Sequence, residues 1–264
     1  MTDCILFSGG VDSLIGWFKM GKPTAIYHQL GHRYQDLEMQ AVLNLEDATP
    51  GLKTFINSDL GWMGFYEKLD AEIPGRNFQL AFNAALNGFQ RIGIVCQLDE
   101  RSIPDRSIEF FYNAEKMLQD LFGHRIVLDP VFPADDKTSM IEWFLSAPLG
   151  IERNHKIEIL KTTVACYRPT EAAAFAFYDS QEEEEADAEV SKSRKIQCGA
   201  CPACFRRAVA FCLNGIYERY ASDVWTSAVA MEYAMKAKQG AYSEQRCQRI
   251  LKAFEEAGIS RVQE

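Results

Sequence analysis

Short apolar runs alternate along the chain with longer stretches in which apolar positions recur at helical spacing. Cys4 to Phe7 is an apolar strand, and Leu14, Ile15, Trp17 and Phe18 continue it as a helix. Thr24 to Leu30 alternates like a second strand and ends at Gly31, and Tyr34 to Leu43 follows as a helix. Residues 74–90 carry Phe78, Leu80, Ala81, Ala84, Ala85 and Phe89 near helical spacing, ahead of a buried strand from Arg91 to Leu98. A helix from Phe110 to Phe122, a strand from Arg125 to Leu128, and helical pieces at Lys137–Leu145 and Lys156–Ile159 complete the series. Such alternation predicts an α/β fold with a parallel sheet wrapped on both faces, whose ligands bind at the carboxyl ends of the strands. Residues 180–195 are acidic and poor in large apolar groups, which predicts a solvated loop. Three helical stretches follow Phe205, broken near Ala221–Asp223 and at Gly240. The chain has no internal repeat.

The first strand empties into Ser8-Gly9-Gly10-Val11-Asp12-Ser13. The two glycines let the backbone bend without a Cβ in the way, so that their N–H groups and those opening the next helix converge on an anion. Ser8 and Ser13 offer hydroxyl donors to the same oxygens. Strand, glycine turn and helix in that order predict pyrophosphate binding, against the plainer reading of an ordinary strand–helix turn. No Gly-Lys-Ser/Thr follows, so this is not a Walker A loop.

At 264 residues the chain can bury one large α/β core or a core with an appendage. Its net charge of −9 and the absence of any Lys/Arg tract argue against unaided gripping of tRNA or DNA. No apolar run approaches a membrane span and no secretory signal opens the chain, which predicts a cytoplasmic protein. Eight cysteines in such a setting point to metal or thiol chemistry before disulfides. Cys4, Cys96, Cys212 and Cys247 stand alone and read as small buried hydrophobes. Cys198, Cys201 and Cys204 recur at two-residue gaps, with Cys166 upstream. Four thiolates suit a tetrahedral, closed Zn2+ site without redox or Lewis-acid work, with a 4Fe–4S cluster or no metal as the alternatives.

With both motifs in view, the chain resembles the 7-cyano-7-deazaguanine synthase (QueC) family of the N-type ATP pyrophosphatases. Ile73-Pro74-Gly75-Arg76-Asn77 resembles that family's V-P-(A/G)-R-N turn. Asp99 to Phe110, with Pro104-Asp105 and Glu109-Phe110, resembles its strand-end loop. Lys137-Thr138 with Met140-Ile141 resembles its S-K-x-E-I segment, and Cys166-Tyr167-Arg168-Pro169-Thr170-Glu171 its S-C-Y-x-P-T-E. The similarity runs from residue 4 to about 216.

The resemblance implies a Rossmann-like adenine-nucleotide α-hydrolase core over residues 1–165, a zinc-binding segment over 166–216 and a helical extension over 217–264. It implies a carbon–nitrogen ligase that uses ATP and Mg2+. The carboxylate of 7-carboxy-7-deazaguanine attacks the α-phosphorus, ammonia displaces AMP to give an amide, and a second ATP drives conversion to the nitrile. Ser8, Gly9, Gly10, Val11, Asp12 and Ser13 would then hold the β- and γ-phosphates. Lys137 or Arg76 would add a cation to them, and Asp12 would orient the loop or the metal. Asn77 would either touch ligand or cap a helix. Asp105 would meet the guanine-like N–H edge, unless it is a turn residue after Pro104. A homodimer fits the family.

Three departures stand out. Where the family carries G-Q-R-H with a glutamate shortly after, this chain has Gly31-His32-Arg33-Tyr34, with Glu38 displaced by one position. That loop puts Arg33 at the substrate and leaves His32 either as a replacement histidine or, as for most lone loop histidines, at the surface. The acidic insertion is long, and the helices beyond Tyr217 would cover the core or dock a protein partner. The rival expectation is therefore an enzyme that adenylates a deazaguanine carboxylate and stops at the amide, or joins it to another amine such as one on a protein. A tRNA-modifying enzyme and a binding subunit without catalysis are the readings from other classes.

Overall fold

The computed structural model describes residues 2–69, 71–101, 103–168 and 197–259. The acidic 180–195 stretch and Pro169-Thr170-Glu171 lie outside them. The chain divides into two compact units, Met1–Val164 and Ala165–Glu264.

The first unit is a five-stranded, wholly parallel sheet in the order β3-β2-β1-β4-β5. Its strands are β1 (Asp3–Leu6), β2 (Thr24–His28), β3 (Thr54–Asn57), β4 (Arg91–Val95) and β5 (Val127–Val131). Its helices are α1 (Val11–Lys19), α2 (Gln35–Ala48), α3 (Arg76–Leu86), α4 (Ile108–Phe122), α5 (Lys137–Ser146) and α6 (Arg153–Thr162). Strand order runs outward from β1 in both directions, which puts the β1–α1 turn at the switch point where such sheets bind ligands.

Periodicity explains most of this. On one face Cys4, Ile26, Ile92, Ile94 and Leu128 of the strands bury against Ala81, Ala84 and Ala85 of α3 and against Phe111, Ala114 and Leu118 of α4. Alanine along α3 brings that helix close. On the other face α1 is almost wholly buried, and Gly16 is the reason it fits. A Cβ there would lie 2.6 Å from Val95 Cγ2 and 2.7 Å from Ile5 Cδ1, so only glycine admits this approach. At the opposite strand ends, Arg91 of β4 reaches Asp129 of β5 (Nε–Oδ2 3.0 Å) and Asp3 of β1 (3.2 Å), which fastens three adjacent strands.

The hydrophobic pattern does not predict β3. Of Thr54-Phe55-Ile56-Asn57 only Asn57 is buried, so this edge strand has no alternating pattern to read. The fourth strand also ends at Val95, and Leu98–Glu100 begins a short 3-10 turn instead of extending it.

The second unit contains α7 (Pro202–Cys212), α8 (Ala228–Lys238) and α9 (Glu244–Glu256). Phe205, Ala208 and Val209 of α7 share one apolar core with Ala230, Ala234 and Ala237 of α8 and Cys247, Ile250, Ala253 and Phe254 of α9. The cysteine-bearing helix and the last two helices are thus packed as one body. Among the lone cysteines, Cys4, Cys96 and Cys247 are buried as expected, whereas Cys212 is only half-buried because it closes α7 at its exposed end.

Candidate functional site

Two groups of candidate side chains stand out, one in each unit. In the first, Gly9 has φ +70°, and a Cβ would lie 3.1 Å from both the Glu38 carbonyl oxygen and Ala41 Cβ. Backbone hand and crowding together require glycine there. Gly10 caps α1 in extended conformation with no side-chain hydrogen bond to the first turn. The opening N–H groups of α1 are therefore left pointing outward, as an anion needs.

Ser13 behaves otherwise than expected. It is buried, its hydroxyl accepts from the Ser8 N–H (3.2 Å) and donates to the Gly10 carbonyl (3.0 Å), so it holds the turn's shape. Ser8 is exposed and offers the open hydroxyl. Asp12 and Lys137, 125 residues apart, meet as an ion pair with Nζ 2.5 and 2.6 Å from the two carboxylate oxygens. Lys137 is the first residue of α5, whose N-cap Asp136 accepts from the Ser139 N–H at 3.0 Å. The chain reaches that cap through Phe132, whose φ of +61° is a strained setting for a bulky residue. No sequence signal marks that strain.

Asn77 does not cap α3. Gly75 is the N-cap, Asn77 sits one turn position inside, and its amide donates to the Asp105 main-chain carbonyl at 3.0 Å. The Asp105 carboxylate in turn faces the Asn77 N–H at 3.4 Å. These two residues tie the Pro74–Asn77 turn to the Pro104–Arg106 turn. Arg76, beside them, makes no side-chain hydrogen bond or ion pair among the described residues and is partly exposed. Arg33 is engaged: its Nε lies 3.1 Å from Glu67 and its Nη2 donates to the Leu69 carbonyl at 2.7 Å. Its guanidinium thus braces the Gly31–Tyr34 loop.

His32 is not at the surface. Its ring is buried, its Nε2 lies 3.1 Å from a Glu38 carboxylate oxygen, and Tyr34 stands edge-on at 4.0 Å. A second histidine, His28, ends β2 with both ring nitrogens buried and without hydrogen-bond partners among the described residues. Burial lowers its pKa from 6.5 to about 4, against smaller opposing effects of Asn57 and Asp59.

In the second unit Cys166, Cys198, Cys201 and Cys204 converge, all buried, with their sulfurs within 4.8 Å of one another. The Cys198–Cys204 sulfur separation is 3.8 Å. A tetrahedral ion with sulfurs at about 2.3 Å sets them about 3.8 Å apart, so a single zinc-like ion fits. A cubane cluster spreads its four cysteines over four irons and needs wider spacing. Backbone N–H groups of Arg168, Ala200 and Cys204 point at the sulfurs of Cys166, Cys198 and Cys201 at 3.4, 3.4 and 3.5 Å. Cys201 is also the N-cap of α7. Donors and a helix N-terminus favour thiolate, and four thiolates this close require a cation between them.

The surrounding support is illegible in sequence. Ser222 donates its hydroxyl to the Cys198 carbonyl at 2.6 Å, and the Ala221 N–H donates to the Gln197 carbonyl at 2.9 Å. Arg207 is wholly buried, stacks 4.2 Å over Phe211, and pairs twice with Glu218 at 2.7 Å.

The described part of the chain is a mixed α/β protein with a parallel sheet and a four-cysteine group that can hold a metal ion such as zinc. None of its described helices is long and apolar enough to cross a membrane. Comparison with protein-family models and with curated proteins returned no match.

Proposed function

We propose that the protein is an ATP-dependent carbon–nitrogen ligase that adenylates the carboxylate of a 7-deazaguanine, releases pyrophosphate and passes the acyl group to ammonia. The Lys137–Asp12 pair at the glycine turn after β1 carries this reading. A lysine and a carboxylate from distant segments meet where the α1 N–H groups open, which suits a phosphate ligand and its Mg2+. Strand order β3-β2-β1-β4-β5 matches the doubly wound nucleotide-binding order up to its fifth strand and supports a Rossmann-like core. Asp12 would hold Mg2+, which supplies charge neutralisation to the phosphates. Ser8, Lys137 and the α1 N–H groups would hold the phosphates themselves, while Ser13 keeps the turn in shape. Arg76 is the second cation available to ligand, and the Asn77–Asp105 bridge sets the neighbouring wall. Zn2+ in the cysteine group would be structural.

Formation of the nitrile, by a second activation of the amide, follows the resemblance. The altered Gly31–Tyr34 loop favours a second reading, in which the reaction ends at the amide or at a conjugate with another amine. Mass spectrometry of protein incubated with ATP, Mg2+, ammonium and 7-carboxy-7-deazaguanine separates the two. Nitrile with AMP is the expected product, amide with AMP selects the second reading, and absence of AMP overturns both.

A further inference from the structure

Short gaps bring Cys198, Cys201 and Cys204 together, but spacing says nothing of how Cys166 joins them from upstream. The answer lies one residue before it. The Ala165 N–H donates to the Gln197 side-chain carbonyl at 2.9 Å, and Gln197 itself stands one residue before Cys198. Two chain segments 32 residues apart are therefore clasped at the position preceding each ligand.

Gln197 is buried, and both ends of its amide are used. Its Nε2 donates to Glu218 Oε1 at 3.4 Å, the oxygen that also accepts from Arg207 Nη2 at 2.7 Å. A carboxylate only accepts and a main-chain N–H only donates, so a single orientation of the amide satisfies both partners. The reverse orientation would set oxygen against carboxylate and turn the NH2 group toward the Ala165 N–H. Arg207 follows Cys204 by three residues on α7, the helix that Cys201 caps, and it grips Glu218 with two bonds. A relay thus runs from α7 through Arg207, Glu218 and Gln197 to the residue beside Cys166.

The Gln197 end is held by main-chain contacts as well. Its own carbonyl accepts from the Ala221 N–H at 2.9 Å, and the Cys198 carbonyl accepts from the Ser222 N–H at 3.2 Å and hydroxyl at 2.6 Å. Gly199 has φ +76°, and a Cβ there would lie 2.3 Å from the Ser222 carbonyl oxygen. With the 197–199 and 220–222 stretches in such close contact, Gln197 has little room to follow Cys166 if that residue shifts.

We infer that Gln197, oriented by Glu218 and Arg207, is a positioning residue that holds Cys166 as the fourth ligand of the metal ion. The inference rests on reading the cysteine group as a structural metal site. Groups that orient ligands from beyond the metal's own contacts change affinity by about 10–100-fold. Packing alone does not account for Gln197, because an apolar side chain of the same length would fill the space without two matched polar partners.

The test uses the full-length protein loaded with Zn2+. Gln197→Met keeps the length of the side chain and removes both hydrogen bonds. Competition with a chromophoric chelator should show Zn2+ held about 10–100-fold more weakly in Q197M. Iodoacetamide labelling, read for each cysteine by peptide mass spectrometry, should then be at least about tenfold faster at Cys166 than at Cys198, Cys201 or Cys204. Ile250→Ala, which truncates the core shared by the three helices, is the control for general weakening and should show no preference for Cys166. Labelling and affinity as in wild type overturn the inference, and so does equal labelling of all four cysteines in a Q197M protein whose helices stay protected from hydrogen exchange. Should Q197M not fold, the Ala165 amide of the wild-type protein decides: slow exchange, as for the α7 amides, is expected, and exchange at the rate of an open peptide overturns the clasp. A wild-type protein that binds no Zn2+ overturns the metal reading itself.

Discussion

Replacing Cys201 by alanine should unfold the second unit, and the magnitude follows from what that sulfur does. It is one of four buried sulfurs held within 4.8 Å, and it also caps α7 by accepting from the Cys204 N–H. Loss of an N-cap alone costs about 0.5–2 kcal/mol. Loss of a structural zinc site removes a binding free energy of about 10–16 kcal/mol in peptides at neutral pH, all of it coupled to folding. Domain stabilities are about 5–15 kcal/mol, so the metal term alone is as large as the whole margin. Because α7 shares its core with α8 and α9, the loss should spread to all three helices. Metal content by mass spectrometry should fall from near stoichiometric to near zero. Hydrogen exchange should lose protection over 202–212, 228–238 and 244–256 together, and a strong chelator should produce the same pattern in the wild-type protein. A metal-free C201A protein with these helices as protected as in wild type would refute the reasoning.

Asp12→Ala and Lys137→Met should each abolish AMP formation with little change in thermal unfolding, since their pair is partly exposed; near-normal turnover in either would remove the phosphate role. Glu218→Gln should destabilise the protein by about 3–5 kcal/mol because it removes the carboxylate charge that pairs twice with the buried Arg207, and a change below about 1 kcal/mol in denaturant unfolding would contradict that account. The folded-state pKa of His28 lies at about 4, below the ordinary 6.5, so the unfolded chain binds more protons between those values. Its stabilising contribution is therefore complete above about pH 6.5 and is lost as pH falls to about 4, roughly 3 kcal/mol in all. His28→Phe should flatten that part of the stability–pH profile, and an unchanged slope in urea titrations at pH 7 and pH 4.5 would count against it.

Motifs that work through backbone geometry are legible in the sequence. Ser8–Ser13 reads as a turn because glycine and a following apolar helix leave few other structures, and Cys198, Cys201 and Cys204 read as a cluster because their short gaps force convergence, with Cys166 joining from far upstream. Helix and strand identity follow periodicity, which fails at Thr54–Asn57, where edge exposure erases the pattern. Side-chain partnerships are not legible. Asn77 reads as either a cap or a ligand contact from its place after Pro74-Gly75, yet the cap is Gly75, and Asn77 answers Asp105, 28 residues away. His32 reads as a loop histidine because the Gly31–Tyr34 stretch is polar. Its burial depends on Glu38 one and a half turns on and on Tyr34 closing over it, which spacing alone does not encode. Arg207 within an apolar helix gives no sign that Glu218 will meet it.

The Lys137–Asp12 and Arg207–Glu218 pairs illustrate how burial, more than identity, separates an ion pair that can exchange partners from one that cannot. Asp12 and Lys137 keep 33% and 21% of their side-chain surfaces exposed, and pairs in that setting are worth about 0–1 kcal/mol. On the proposed reading, a polyphosphate would take over Lys137 at little cost, and the carboxylate it left would remain solvated and able to hold a cation. Arg207 and Glu218 keep only 1% and 11%, and breaking such a pair costs about 3–5 kcal/mol, more than an exchange of partners during turnover would repay. The second pair is kept, and because Arg207 belongs to the cysteine-bearing helix α7, it fits a role in holding that helix in place.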